Sequence, residues 1–321
     1  MCGKRSPSEL RAGGDNAIAV TLGLLGDEWN LWILRHALRG DRRYLDWMSR
    51  GGISNAVLTH RLSQLTDVGL FTRSAYQDNP RRYEYLLTPR GRGVWPILLG
   101  LWNWELRWSS AAVDLPRIVH ADCGAPCVPE LRCGICAEVL DLDSVVADPG
   151  PSGEWGRSVP AASGRRRSSS ASAAAILPDT MRLIGNRWSV AVLGALMLGT
   201  HRFRDFSARV GASPAIIAGR LQDFVAAGVA EAAPNPDRPG WVWYRLTDKG
   251  RDFFPVIYLM ITWGQRWFRA PEGDALVFRH RDHEHAPEPR WVCDQCHQPI
   301  SGGSIIERPG RRSGVRGRSP A

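Results

Sequence analysis

Ile53-Ser54-Asn55-Ala56-Val57-Leu58-Thr59-His60-Arg61-Leu62 carries its own helix start signal. Ser54 is a residue whose hydroxyl accepts from the unpaired N–H groups of a first turn. Behind it Val57, Leu58, Leu62 and Leu65 recur at helical spacing until Gly69. Directly after, residues 70–76 and 82–87 read as strands flanking Asp78-Asn79-Pro80-Arg81, and together they predict a hairpin. Upstream, residues 18–25 form a short apolar helix. Residues 29–38 place Trp29, Ile33, Leu34 and Leu38 on one helical face, Gly40 ends that helix, and residues 44–48 give another short one. Downstream, Thr88 caps a last helix that runs to about Trp108.

The same unit occurs twice. Trp29 in Gly-Asp-Glu-Trp has a twin in Trp188 of Gly-Asn-Arg-Trp, 159 positions on. That offset also carries Gly40 to Gly199, Asp46 to Asp205, Ser54 to Ser213 and Arg61 to Arg220. It continues through Gly69 to Gly228, Tyr85 to Tyr244, Gly91 to Gly250 and Trp104 to Trp263, without a gap. Such a register is the mark of a duplicated unit and sets the fold before any local detail. A helix standing directly before a hairpin is the order of a winged helix-turn-helix. The fold class expected is therefore mainly α with small β (α+β), as two tandem winged helix-turn-helix domains, each followed by a small Cys/His knuckle.

The boundaries read as winged copy one at 15–110, a first knuckle at 117–140 and a flexible linker at 141–175. Winged copy two follows at 176–270, with a second knuckle at 277–302 and a disordered basic tail at 303–321. Pro, Gly and Ser dominate the linker and the tail, a composition that buries too little apolar surface to offset chain entropy. In the final helix of copy one, Trp95, Leu98, Leu99 and Trp102 lie on one face and Ile97, Leu101, Trp104 and Trp108 on another. A helix apolar nearly all round is covered on both sides, so an interface between subunits or between the two copies is expected. Trp102, Trp104 and Trp263 are read as core, with an effector cavity between these helices as the alternative.

The chain has 321 residues, 44% of them hydrophobic and 23% charged, and a formal net charge of +9. The excess of Lys and Arg favours a polyanionic partner. No secretory signal follows the N-terminal Met1-Cys2-Gly3-Lys4-Arg5. The longest apolar stretch falls short of the roughly 20 residues of a membrane span, so a cytoplasmic location is expected. A glycine-rich phosphate loop, paired carboxylates in a pocket and a Ser-His-Asp context are all missing from the sequence, so it reads as a non-enzyme.

The ordered set of motifs resembles the HxlR-type family of bacterial winged-helix regulators. Gly26-Asp27-Glu28-Trp29, Arg43-Tyr44-Leu45-Asp46, the Ile53 to Leu62 segment, Gly69-Leu70, Tyr83-Glu84-Tyr85-Leu86-Leu87-Thr88 and Gly91 carry it in copy one. Gly185-Asn186-Arg187-Trp188, His201-Arg202-Phe203-Arg204-Asp205-Phe206 and Tyr244-Arg245-Leu246-Thr247 carry it in copy two. The likeness implies a DNA-binding transcriptional regulator, with repression the family's commoner mode. Family members are usually homodimers of one such domain, which implies a pseudo-dimer in this chain and leaves further dimerisation open. Some members hold a sensor cysteine before the Gly-x-x-Trp helix. Residues 17–25 and 177–184 contain none, and thiol sensing is not expected there.

In this fold the recognition helix enters the major groove with its N-terminal residues near base edges. Copy one offers Ser54, Asn55, Thr59 and His60, with Arg61 further round. Arg42, Arg43, Arg81 and Arg82 are placed for phosphates or the minor groove. Arg61 and Arg43 read equally well as ion-pair partners of Asp46. Copy two offers Ser213, Arg220 and Arg202, and Arg238 in its wing. Copy one should therefore supply most base specificity at a pseudo-palindromic double-stranded site. The rival readings are a winged scaffold kept for protein interaction after DNA binding was lost, and a ligand- or redox-responsive regulator.

Six of the seven cysteines cluster in two short segments, a use that favours metal over crosslinks. His120, Cys123, Cys133 and Cys136 stand as H-x2-C-x9-C-x2-C. An offset of 160 maps them onto His280, His283, Cys293 and Cys296. The exchange of Cys123 for His283 is one that zinc tolerates, and four donors leave no open position, so each copy is expected to hold one structural zinc. Cys127, His285 and His297 are spare donors.

Overall fold

The computed structural model describes residues 7–110, 115–160, 177–234 and 240–309. Copy one runs β1 (Ser8–Glu9), α1 (Ala17–Leu25), α2 (Glu28–Leu38), α3 (Tyr44–Ser49), α4 (Asn55–Asp67), β2 (Phe71–Asp78), β3 (Arg81–Leu87), α5 (Pro89–Arg92) and α6 (Trp95–Trp108). A ribbon follows, β4 (Arg117–His120), β5 (Pro129–Cys133) and β6 (Val145–Pro149), and then the short α7 (Trp155–Ser158). Copy two repeats the order with α8 (Pro178–Ile184), α9 (Arg187–Met197), α10 (Phe203–Val210), α11 (Pro214–Ala226), β7 (Ala230–Pro234), β8 (Val242–Leu246), α12 (Asp248–Arg251) and α13 (Phe254–Trp267). It closes with β9 (Phe268–Arg269), β10 (Leu276–His280), β11 (Pro289–Cys293) and β12 (Ile305–Arg308). Among the described residues no single helix is long and apolar enough to cross a membrane.

The repeated start signals act as the sequence predicts. Asp27 and Asn186 cap α2 and α9 by accepting from the second and third backbone N–H groups, and Ser54 and Ser213 cap α4 and α11. The expected last helix is broken into α5 and α6, and likewise α12 and α13. Thr88 donates its hydroxyl to the Gly69 carbonyl at 2.7 Å and accepts from Gly91 N–H at 3.2 Å, and Thr247 does the same with Gly228 and Gly250. Here the glycine is required, because a Cβ on Gly91 would collide with the Leu70 carbonyl and one on Gly250 with that of Val229.

The two copies close on each other around a pseudo-twofold axis. α6 packs against α13, and Trp104 Nε1 donates to the Lys249 carbonyl (2.9 Å) while its twin Trp263 donates to that of Arg90 (3.1 Å). The terminal helices trade places: α1 of copy one lies on α13, and α8 of copy two lies on α6. α1 comes so near that any side chain at position 264 would strike Thr21, which makes Gly264 a close-approach glycine. At the equivalent place the buried Glu105 carboxylate accepts from Asp179 N–H, Thr180 N–H and the Thr180 hydroxyl, at 3.1, 2.9 and 2.6 Å.

The ribbons are exchanged too. β4 pairs with β12 and β10 with β6, both antiparallel, so each crosses to the other copy. β5 pairs with its own twin β11, with Leu131 opposite Trp291 at the centre and Cys133 and Cys293 at opposite ends. Two expectations change here. Part of the expected linker is strand β6 and helix α7, and the start of the expected tail is strand β12; the two strands each pair with an edge of the other copy, and α7 packs between α1 and α10. Residues 161–175 of the linker and 310–321 of the tail lie outside the described residues.

Candidate nucleic-acid interface and metal centres

On copy one the first turns of α4 face outward. Ser54, Asn55, Thr59 and His60 are exposed, while Leu58, Leu62 and Leu65 hold the opposite face in the core. The Tyr44 hydroxyl lies 3.0 Å from Asn55 Oδ1 and 3.3 Å from Thr59 Oγ1, so α3 fixes the orientation of both side chains. Tyr44 is not among the candidates the sequence pattern marks, although its place in Arg43-Tyr44-Leu45-Asp46 puts it one short helix away.

Beside this helix stands the β2–β3 hairpin. Arg81 and Arg82 are exposed, Arg73 lies over the Tyr83 ring at 3.5 Å and Arg81 over the same ring at 5.5 Å. Arg73 is a wing cation that the sequence pattern does not mark, because its position within a strand hides its outward face. Arg42 and Arg43 are exposed where the chain enters α3, and the Arg43 guanidinium stacks on Tyr76 at 4.4 Å.

Arg61 has a structural partner, and it is not Asp46. Its guanidinium pairs with Asp27 at 2.6 Å and donates to Gln64 at 3.0 Å, tying α4 to the cap of α2. Asp46 instead accepts from the backbone N–H groups of Arg42 and Arg43, at 2.9 and 2.8 Å. Asp46 sits one turn into α3, where the unpaired N–H groups of the helix start are the nearest donors.

On copy two the corresponding face is small and apolar. Pro214, Ala215, Ala218 and Gly219 stand where copy one has Asn55, Ala56, Thr59 and His60. The Ser213 hydroxyl caps α11, Arg220 pairs with Asp223 at 3.0 Å, and Arg202 forms an isolated bridge to Trp243. Gly240 and Trp241 replace Arg81 and Arg82, with Trp241 42% exposed. Arg238 lies outside the described residues.

The cysteine clusters differ from the within-copy sets expected. His120 and Cys123 of copy one meet Cys293 and Cys296 of copy two, and Cys133 and Cys136 meet His280 and His285, with all ligand atoms of each set within 4.8 Å of one another. Four strand steps of about 3.4 Å carry Cys133 some 14 Å along β5 from the end that faces Cys293, so it cannot turn back to His120. His285 takes the place expected for His283, whose Nε2 lies 3.1 Å from Glu138 Oε2. His297 joins neither set.

The separations match a four-coordinate metal. Bonds of about 2.3 Å to sulfur and 2.0–2.1 Å to nitrogen in a tetrahedron give S···N edges of about 3.5 Å and S···S edges of about 3.8 Å. Observed are 3.6 Å for Cys123–His120, 3.2 Å for His120–Cys296, 3.4 Å for Cys133–His285, 3.6 Å for Cys136–His280 and 3.9 Å for Cys123–Cys293. A disulfide would need about 2.05 Å. Burial pushes the Cys133 thiol up, but backbone N–H groups aimed at the sulfur and the His280 ring outweigh it and hold it at about 5, a thiolate ready to ligate. Burial drives Cys127 the other way, to about 12, so it stays a neutral thiol beside Cys293.

Two winged units with exposed recognition helices, closed on each other through their terminal helices, define a duplicated winged-helix protein. The chain belongs to the HxlR-like helix-turn-helix family, whose model matches residues 24–112 and 183–272. It is similar to the uncharacterized HTH-type transcriptional regulator Rv3095 of Mycobacterium tuberculosis, with 29% identity over 130 residues, 40% of this chain and 82% of that protein. It is also similar to the uncharacterized HTH-type transcriptional regulator sll1512 of Synechocystis, with 38% identity over 88 residues, 26% of this chain and 64% of that protein. A solved chain from Pseudomonas aeruginosa matches at 27% identity over 39% of this chain and 85% of its own, with a TM-score of 0.32.

Proposed function

We propose that this chain is a cytoplasmic, sequence-specific DNA-binding transcriptional regulator, acting as a repressor, whose copy one supplies most of the base reading at a pseudo-palindromic site. The observation that carries the reading is the outward face of α4: Asn55, Thr59 and His60 stand exposed beside a hairpin bearing Arg73, Arg81 and Arg82. Asn can pair bidentately with adenine and the wing arginines suit phosphates or the minor groove. Arg42 and Arg43 add phosphate contacts. Arg61, already paired with Asp27, serves mainly to place the helix, while Ser213, Arg202 and Arg220 of copy two contribute shape and backbone contact. The test is a mobility shift and footprint on the DNA upstream of the protein's own gene. A protected site whose halves depend unequally on the two copies is expected, and an absence of binding at low salt would overturn the reading. The rival role, protein interaction, draws support from the apolar outward face of copy two, where Trp241 and Val242 are 42% and 50% exposed, and from Leu45 on α3 of copy one, 68% exposed.

We further propose that each Cys/His tetrad holds one zinc ion with no open position, so its role is structural. The S···N and S···S separations near tetrahedral edges support this. Elemental analysis of purified protein should find one zinc per tetrad.

A further inference from the structure

The pseudo-twofold axis relates two hollows beside the interface helices, and they have diverged. In one, walled by α2, α6 and β12, Arg35 and Arg39 meet Glu307 at 3.5 and 2.6 Å, and the Arg35 guanidinium lies 5.0 Å from the centre of the Trp102 ring. In its twin, Gly194, Leu198 and Ala147 stand at the positions of Arg35, Arg39 and Glu307, so the charged filling is gone. The twin is a smaller cavity, of about 170 Å³ against about 490 Å³, between α1, α9 and α13, lined by Leu22, Gly194, Ile257 and Ile261 and bordered by Trp155 of α7. An apolar cavity of about 150 Å³ is large enough to take up benzene.

One cation borders this space. Arg209 of α10 donates to the Thr200 hydroxyl at 2.7 Å and lies 5.7 Å from the Trp155 ring. Among the described residues no carboxylate pairs with it. The hollow accepts a flat apolar body, and Arg209 offers its remaining donors to an anion at the edge.

We propose that this cavity is a binding site for a small single-ring aromatic carboxylate, its ring between Trp155 and the Ile257–Ile261 face of α13 and its carboxylate on Arg209. A bound ring would touch α9, the helix that packs against α11, so the site is placed to report on the copy-two head.

The test uses the full chain without DNA, so its outcome is independent of the DNA-binding reading. Benzoate and toluene are titrated by calorimetry and by ligand-observed NMR. Saturable one-to-one binding of benzoate at about 1 mM or tighter is expected, as befits so few ligand atoms. Gly194→Leu fills the hollow and should weaken both probes at least tenfold, with circular dichroism and metal content unchanged. Arg209→Met should weaken benzoate about tenfold and leave toluene unaffected. Failure of benzoate to saturate, equal binding by the Gly194→Leu chain, or indifference of benzoate to Arg209→Met would each overturn the proposal.

Discussion

The two winged units share a backbone and differ in most of the side chains on the outward face of the fourth helix and the wing. Both have the same capping serine, the same Thr–Gly–Gly lock behind the hairpin and a buried apolar row on the fourth helix, Leu58, Leu62 and Leu65 in one copy and Ile217, Leu221 and Phe224 in the other. Outward, Asn55, Thr59, His60, Arg81 and Arg82 become Pro214, Ala218, Gly219, Gly240 and Trp241. The lesson is that packing and recognition are separable in this fold. Residues that point inward are held by volume and cavity cost, whereas those that point outward carry no such constraint from packing.

The largest effect is expected where this asymmetry should disappear, at the exchanged ribbons. Cys133→Ser and its twin Cys293→Ser should each remove one zinc equivalent and lower Tm by similar amounts, several degrees or more, because a structural zinc contributes directly to folding. Scanning calorimetry with metal analysis checks this, and strongly unequal losses would break the symmetry argued for the core.

The wings come next. Arg81→Ala with Arg82→Ala should weaken operator binding by tenfold or more and reduce the salt slope by about 0.9 for each phosphate that is no longer neutralised. Trp241→Ala at the matching place should leave the slope unchanged. A slope indifferent to the arginine pair would show that the wing does not touch DNA.

Single-residue base reading is smaller. Asn55→Ala should cost about 1–3 kcal/mol at the operator and relax preference at one base position, without altering Tm. Arg61→Ala should do the reverse, lowering Tm because the ion pair that ties α4 to the cap of α2 is lost, with specificity retained. If both variants behave alike, the division between reading and placing residues fails.

The smallest difference concerns acid. Burial holds the His36 imidazole down to about 4 from an ordinary 6.5, against the pull of nearby Asp41 and with Arg50, Arg35 and Arg39 reinforcing it. Copy two has Ala195 there. A depressed folded value means the unfolded chain takes up the proton first, so the stability is whole above about 6.5 and is lost as pH falls towards 4. Denaturant midpoints between pH 7 and 4 should therefore drop less for His36→Ala than for the parent chain.

Much of this was legible in the chain. Period-3.6 leucines, capping residues and the gap-free offset lead to the winged units, because each is local information. The ligand residues were legible too, but not their partition. H-x2-C-x9-C-x2-C fits a site within one copy as well as one across two, and only the outward run of β5 decides between them. The shift from His283 to His285 depends on the path of the loop before β11, which no spacing rule encodes. β6 was hidden because Val145-Val146-Ala147 is a short apolar run among prolines and glycines whose partner strand lies about 130 positions away.

Strand exchange has a consequence for how the molecule can be taken apart. Dividing the chain within residues 161–176 would leave each piece with three ribbon strands that have lost their partners and with half of each Cys/His set, so neither would be a finished module. Two such fragments produced together should be recovered as one stoichiometric complex. Covalent continuity is then a means of guaranteeing the right mate, and it leaves the outward faces of the two copies at liberty to differ.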